Sequence, residues 1–133
     1  MTGKESLLEW KTDAQVIDVS HFDELYELII ASDFIISDYS SVAFDAGIIN
    51  KKVFLYMPDL DEYLNERGIN WSIPELPFPC SEDNDTFINQ FNSFDEIDYR
   101  NRLKRFYDSL GIKETGRAAE IVADRIRTVI ERD

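Results

Sequence analysis

The sequence contains few of the residue types on which several classes of protein depend. It has one cysteine, one histidine, five glycines and four prolines among 133 residues. The lone Cys80 cannot form an internal disulfide, and with a single histidine it makes no cluster of zinc-site spacing. Apolar runs such as residues 53–57 are far shorter than the roughly 20 residues that cross a bilayer. These scarcities predict a cytoplasmic, soluble domain without a metal or cofactor, in which Cys80 is an inert thiol.

Basic residues are also scarce relative to acidic ones. The chain has 14 lysines and arginines against 27 aspartates and glutamates, a formal net charge of −13. Such a charge repels nucleic acids and anionic lipids at long range, so neither is an expected partner. A phosphorylated ligand would have to be held by local geometry, because the overall field opposes it.

What the chain does have is an alternation of short β-branched runs with helical stretches. Val16–Val19, Phe34–Ser37 and Val53–Tyr56 are predicted as adjacent parallel strands. Helices are predicted between these strands. The first begins at Ser20, with Asp23 completing a capping box, and the second runs from Ser41 to Ile49, with Asn50 as its C-terminal cap. A spacing of about 18 residues between strands, with a helix in each gap, is typical of βαβ units and a parallel sheet with helices on both faces.

The second half of the sequence is less regular. Asp59 and Glu62 mark the start of a further helix that ends at Gly68. Residues 71–79 contain three of the four prolines and read as an irregular crossing, with one short strand possible near residues 70–73. Helices are predicted over residues 84–91, 95–110 and 116–132. Ser93 and Glu96 are expected to cap the second of these, and the third carries an apolar stripe.

One segment combines a strand end with groups that can bind a ligand. The strand Phe34–Ser37 leads through Asp38, Tyr39, Ser40 and Ser41 directly into a helix. Ligands of open parallel sheets bind beyond the carboxyl ends of the strands, and a helix start offers N–H donors to a phosphate. A serine pair at this position is, however, more often an ordinary helix cap. The pattern alone leaves both interpretations open and favours the cap.

The same segment carries a family resemblance. Residues 32–45, SDFIISDYSSVAFD, resemble the most recognisable motif of the CDP-glycerol glycerophosphotransferase family: Ser-Asp, an apolar run, then Asp-Tyr-Ser-Ser-Val and Phe-Asp. Similar stretches are Asp18-Val19-Ser20, residues 52–56, and residues 59–68. Looser matches occur at residues 75–77 and 116–119. The resemblance covers roughly residues 16–130.

The resemblance implies a particular fold and role. Family members are GT-B transferases with two Rossmann-like domains, and the C-terminal domain holds the CDP-activated donor. Carried over to this sequence, Ser40 and Ser41, with Asp38 beside them, would bind the donor diphosphate. Residues 1–133 would then be one partial C-terminal nucleotide-binding domain with C-terminal helices, residues 1–14 being an additional segment at its edge.

The reaction implied is transfer of glycerol phosphate from CDP-glycerol to a teichoic-acid-like polymer or lipid-linked acceptor, releasing CMP. A ribitol-phosphate or other alditol-phosphate transferase shares the motif and is the alternative. Family histidines, one in a His-Pro motif, are thought to do the proton chemistry. His21 does not match them and is expected at the surface, so no catalytic residue is expected within the chain. The whole enzyme would work at the cytoplasmic face of the membrane, with peripheral attachment possible.

Other residues and partners have weaker signals. Asp59 and Glu62 could contact a ribose or the glycerol hydroxyls, and a capped helix start explains them equally well. Arg67 could face the ligand, although a place in the last turn of a helix is the simpler interpretation. A non-catalytic, receiver-like module is disfavoured because Asp38 has no convincing lysine partner. An exposed sheet edge would allow a homodimer, since open edges tend to pair with another chain.

Overall fold

The computed structural model describes residues 16–131 and contains a parallel sheet flanked by helices. Strands β1 (Phe34–Ser37) and β2 (Lys52–Tyr56) pair in parallel, with Phe34 opposite Lys52. A short β3 (Cys80–Ser81) pairs in parallel with the other side of β2. The helices within the described range are α1 (Leu25–Ala31), α2 (Val42–Ile48), α3 (Leu60–Glu66), α4 (Asn84–Asn92), α5 (Glu96–Ser109) and α6 (Ala118–Ile130), with a 3-10 turn at Ile73–Glu75.

The central strand β2 is covered on both faces, as the α/β prediction requires. Its successive side chains point to opposite sides of the sheet. Val53 and Leu55 pack beneath α2 and α5, in a core that includes Ala46 and Leu103. Phe54 faces the other way, against aromatic residues of α4 and the segment after it. The prediction of a parallel sheet with helices on both faces is confirmed.

Helix α2 connects β1 to β2 and packs closely on α5. A Cβ atom at Gly47 would meet the side chains of Leu103 and Phe78, each 3.2 Å away, and would clash with the Tyr107 hydroxyl. The Tyr107 hydroxyl instead donates a hydrogen bond to the Phe44 carbonyl at 2.8 Å. Glycine at this position therefore allows the two helices to approach each other.

The end of α2 agrees with its sequence signal. Asn50 adopts the left-handed conformation at φ 59°. Its N–H donates to the Gly47 carbonyl and the Lys51 N–H donates to the Ala46 carbonyl, the bond pattern of a Schellman cap. The Lys51 ammonium then donates to the Ile30 and Ser32 carbonyls at 2.5 and 2.8 Å, which ties the end of α1 to the start of β2. The predicted cap at Asn50 is confirmed.

The predicted strand Val16–Val19 is wrong. The segment pairs with no strand among residues 16–131, and its side chains are exposed. A strand needs a neighbour for its backbone groups. Here the Asp18 carboxylate accepts bonds from the Ser20 N–H and hydroxyl, and the Phe22 N–H donates to the Val19 carbonyl, so the chain turns instead. Ser20 is therefore not a helix cap, and α1 begins only at Leu25.

The second half of the chain brings three further corrections. Asp95, not Ser93, caps α5, since its carboxylate accepts bonds from the N–H groups of residues 97 and 98, while the Ser93 hydroxyl donates to the Asn89 carbonyl. The strand considered near residues 70–73 is replaced by the 3-10 turn, which has a Ser72–Glu75 capping box. Strand β3 was not predicted.

Two features bear on how this unit meets other surfaces. On its far side β1 has no partner strand within the described range, so the open sheet edge is present, and its pairing with another chain stays a prediction. Helix α6 spans most of the predicted residues 116–132, but its apolar stripe faces solvent, with Val122, Ile126 and Val129 exposed. None of the helices in residues 16–131 has the length and apolar character needed to cross a membrane.

Candidate functional site

The candidate site lies where β1 ends and α2 begins. A cleft of about 410 Å³ opens beside residues 38–41, at the carboxyl edge of the sheet. Its opposite wall is formed by residues 67–71, which follow α3. The floor is apolar and includes Phe44, Leu55 and Met57. Parallel strand ends and the turn that follows α3 thus produce one concave surface with polar and apolar parts.

The two serines at this edge do not act as an ordinary capping pair. Ser41 occupies the N-cap position of α2, but its side chain makes no capping hydrogen bond. The Ser40 hydroxyl accepts only a long bond of 3.4 Å from the Val42 N–H. The N–H groups of Ala43 and Phe44 bond to backbone carbonyls of the two serines instead. Both hydroxyls therefore remain available to a ligand in the cleft.

Asp38 shapes the loop. Its carboxylate accepts a hydrogen bond from the Ser40 N–H at 3.1 Å, which closes a tight turn immediately after β1. This bond fixes the direction in which Ser40 and Ser41 enter the cleft. Asp38 itself is exposed and lines the cleft. The structure shows Asp38 holding the Ser40 backbone, and its contact with a donor diphosphate stays a prediction.

An aromatic pair connects this loop to α3. The rings of Tyr39 and Tyr63 stack with their centroids 3.6 Å apart and their planes within 9°. The Tyr39 hydroxyl donates to the Asp59 carboxylate at 2.8 Å. Burial, together with this bond to Asp59, raises the pKa of Tyr39 well above its usual range, so the hydroxyl stays protonated. The pair fixes the width of the cleft between the loop and α3.

Arg67 supplies positive charge on the opposite wall. It is the C-terminal cap residue of α3, directly before Gly68 in the left-handed conformation at φ 72°. Its guanidinium lies 5.9 Å from the centre of the Tyr63 ring. No carboxylate of residues 16–131 lies within ion-pair distance of it. Arg67 therefore faces the cleft as a cation without an acidic partner in the described part of the chain.

The sequence matches one protein family along almost its whole length. That family is described as CDP-Glycerol:Poly(glycerophosphate) glycerophosphotransferase, and the match covers residues 4–128. The chain belongs to this family. The predicted membership is confirmed.

Some curated relatives of this chain are named for glycerol phosphate and others for ribitol phosphate. The chain is 32% identical over 119 residues to a teichoic acid ribitol-phosphate primase of Bacillus spizizenii, covering 89% of this chain and 30% of the relative. It is 33% identical over 118 residues to a teichoic acid glycerol-phosphate transferase of Staphylococcus aureus, covering 86% and 30%. For a teichoic acid poly(glycerol phosphate) polymerase of Staphylococcus epidermidis the identity is 32%, covering 86% and 16%. The chain thus spans a third or less of these relatives, and no solved structure matches it significantly.

The remaining predicted site residues of this family member lie nearby. Asp59 and Glu62 line a neighbouring concavity of about 670 Å³. Asp38, Tyr39 and Arg67 line both this concavity and the cleft. Asp59 is the N-cap residue of α3 but makes no side-chain capping bond, since its carboxylate accepts from Tyr39. The structure therefore assigns Asp59 a positioning role, while contact of Asp59 or Glu62 with a ribose or polyol stays a prediction.

Arg67 and the tyrosine pair are the parts of the site that sequence reasoning undervalued. No local signal placed Arg67 in the cleft. A helix that follows a parallel strand normally ends at the amino edge of the sheet, whereas the residues after the short α3 line the cleft at the carboxyl edge. His21, in contrast, is exposed and does not line the cleft, as expected. Within residues 16–131 no group of three or more histidine, cysteine or acidic side chains is arranged to hold a metal ion.

Cys80 gives a first testable prediction. Its thiol donates to the Phe78 carbonyl, and burial raises its pKa to about 11, against an ordinary 9.0. At pH 8 this leaves about a hundredfold less thiolate than in a free thiol of ordinary pKa, so alkylation by iodoacetamide should be slower by about that factor. The rate should rise about tenfold per pH unit between 8 and 10. A rate equal to that of free cysteine at pH 8, measured by mass spectrometry, would contradict the buried thiol.

Proposed function

We propose that this chain is the donor-binding part of a transferase that moves glycerol phosphate from CDP-glycerol to a polyol-phosphate or lipid-linked acceptor and releases CMP. The observation that carries the proposal is the cleft between residues 38–41 and Arg67. It combines two available hydroxyls, a cation without an acidic partner among residues 16–131, and an apolar floor. A related alditol donor such as a CDP-ribitol is the alternative, supported by the ribitol-named relatives.

The parts of the cleft match the parts of such a donor. Hydroxyl groups and a guanidinium are good donors to a diphosphate, and charge-assisted bonds of this kind are roughly twice as strong as neutral ones. Phe44 of the floor and the half-buried Trp71 of the opposite wall, whose ring centroids lie 5.3 Å apart, offer apolar surface that suits a flat nucleobase. A concave, mostly apolar pocket with a few polar groups is the usual form of a small-molecule site.

The chemistry follows from the bonds that must change. The acceptor hydroxyl attacks the phosphorus that carries the glycerol, the bond from that phosphorus to the CMP oxygen breaks, and the acceptor proton passes to a base. Ser40, Ser41 and Arg67 would stabilise the negative charge that grows on the departing CMP. No base is assigned within this chain, because no histidine lines the cleft.

We further propose that residues 1–133 form one domain, part of the C-terminal nucleotide-binding domain of a two-domain GT-B enzyme. The parallel sheet and the small share of each relative that the chain spans support this. Residues 1–14 lie outside the described range and are proposed to form an additional segment at its edge.

Replacing Ser40 and Ser41 together with alanine tests the donor site. We expect the chain to bind CDP in roughly the millimolar range, about −4 kcal/mol. The double variant should bind it more weakly by about 1–3 kcal/mol, the scale of hydrogen bonds lost to a charged group. The measurement is an NMR titration with CDP and with CDP-glycerol.

A matched control is the pair Ser20→Ala and Ser93→Ala. It also removes two exposed serine hydroxyls, but neither serine lines the cleft. This control should bind CDP as the unchanged chain does. Equal affinity of the control and the Ser40/Ser41 variant would refute the assigned site. In a transfer assay with labelled CDP-glycerol the chain alone should show no turnover, since no histidine lines the described cleft to serve as the base.

A further inference from the structure

A second concave surface lies beside the donor cleft, and arginines make up most of its charged side chains. Its volume is about 470 Å³, and it shares Trp71 and Leu76 with the donor cleft as a common wall. Arg102 and Arg105 line it from α5, three residues apart and therefore on one helical face. We call this surface the arginine cavity. Its other lining residues are Pro74, Glu75, Pro77, Phe106, Ser109 and Leu110.

The direction of α5 places the arginine cavity at the same edge of the sheet as the donor cleft. Near the start of α5, the Tyr99 hydroxyl bonds to the backbone at Lys51 and Val53, where β2 begins. Near its end, the Phe106 ring stacks on Phe44 in the first turn of α2 at 5.9 Å. The helix thus runs from the amino edge of the sheet toward the carboxyl edge. Its arginines lie on the half that approaches the edge where the donor cleft opens.

Two of the three charged side chains that line the arginine cavity are arginines. Arg105 is exposed and forms no ion pair with residues 16–131, whereas Arg102 lies 3.0 Å from Asp98. Glu75 is the one carboxylate of the described lining, and its oxygen accepts bonds from the Ser72 N–H and hydroxyl at 2.8 and 2.7 Å. These bonds lower the pKa of Glu75, so its carboxylate stays negatively charged and is held at the start of the 3-10 turn. In a chain of net charge −13, a cavity with two arginines is a local exception.

We propose that the arginine cavity binds a phosphodiester of an anionic polyol-phosphate chain, the acceptor polymer, next to the donor. This inference rests on the proposed function and extends it to the second substrate. Guanidinium groups match phosphate oxygens in a fork geometry and attract them through charge. Trp71 and the two prolines offer apolar surface to the polyol carbons. The shared wall at Trp71 and Leu76 would bring the acceptor chain alongside the donor without overlap of the two sites.

Replacing Arg102 and Arg105 with glutamine tests the inference. The probe is a synthetic glycerol-phosphate oligomer of about four units, titrated by calorimetry or NMR at low salt, where screening is weak. We expect affinity for the oligomer to fall about tenfold, which corresponds to about 1.4 kcal/mol. Arg105→Gln alone, at an exposed residue, should give part of this loss even if the double variant is less stable.

The matched control is Arg100→Gln with Lys104→Gln. Like the test variant, it removes two positive charges from α5. Both residues are exposed, and neither lines the arginine cavity. Its affinity for the oligomer should change less than about twofold, since only the diffuse field differs. Equal losses in the control and in the arginine variant would overturn the proposal, because net charge alone would then explain the binding.

Two further arms separate the possible outcomes. Vesicles of phosphatidylglycerol test a membrane surface, and binding of vesicles but not of the oligomer through Arg102 and Arg105 would overturn the proposal. Titration with CDP should give the same affinity in the arginine variant as in the unchanged chain. Normal CDP binding without arginine-dependent oligomer binding would refute this inference alone. Arginine-dependent oligomer binding in a chain that does not bind CDP would support the cavity as a phosphodiester site and refute the donor proposal.

Discussion

Replacing Phe54 with alanine is expected to lower the free energy of unfolding by about 3–5 kcal/mol, the range found for large aromatic residues removed from cores. Phe54 is fully buried on the central strand. Its ring centroid lies 5.1–6.2 Å from those of four other phenylalanines: Phe34, Phe87, Phe91 and Phe94. These rings hold α4 and the segment after it against the sheet. Because whole domains are stable by only about 5–15 kcal/mol, the variant should be near its unfolding limit.

The measurement is urea denaturation followed by circular dichroism. Phe22→Ala is the matched control, since it makes the same chemical change at a side chain that is 48% exposed. The control should lose less than about 1 kcal/mol, as expected for a surface substitution. If both variants unfold at the same urea concentration, the aromatic cluster around Phe54 does not hold the second face of the sheet.

Tyr99→Phe should cost about 2–4 kcal/mol, although it removes only one oxygen atom. The buried Tyr99 hydroxyl donates to the Lys51 carbonyl at 2.8 Å and accepts from the Val53 N–H at 3.0 Å. Phenylalanine would leave both backbone groups at the start of β2 without this partner. An unpaired buried polar group costs about 1–3 kcal/mol. Thermal unfolding and hydrogen exchange at the Val53 amide should both report the loss.

Tyr26→Phe provides the comparison for Tyr99. The Tyr26 hydroxyl is exposed and makes only a long bond of 3.3 Å to Asp45. Its removal should change the free energy of unfolding by less than about 0.5 kcal/mol. An unchanged exchange rate at Val53 in the Tyr99 variant would show that another group, such as water, takes over the hydroxyl's role.

The sequence was sufficient for elements whose signals are local. The apolar run of β1, the cap at Asn50 and the apolar run of β2 each depend on a few adjacent residues, and each was placed correctly. Val16–Val19 has the same β-branched character but no neighbouring strand among the described residues, and a strand depends on pairing as much as on propensity. The two-residue β3 was missed because its pairing with Leu55 and Tyr56 is non-local.

The candidate site likewise has a part that local sequence signals predict and a part that depends on tertiary packing. Asp38, Ser40 and Ser41 could be proposed from sequence because the end of a parallel strand defines where a ligand site lies. The stack of Tyr39 on Tyr63 and the approach of Arg67 depend on how α3 folds back onto the sheet, which no local pattern encodes. The arginine cavity depends on the path of the 3-10 turn across α5, where sequence indicated only an irregular, proline-rich crossing.

Trp71 gives the molecule an optical property. Its indole belongs to the wall that separates the two clefts, and it packs against Phe44 and Phe106. The chain has two tryptophans, the other being Trp10, so the tryptophan emission of a Trp10→Phe variant would come from this wall alone. A nucleobase entering one side and a polyol chain entering the other would each change the polarity around the same indole. Its emission spectrum could therefore follow both occupants in a single cuvette, without an attached dye.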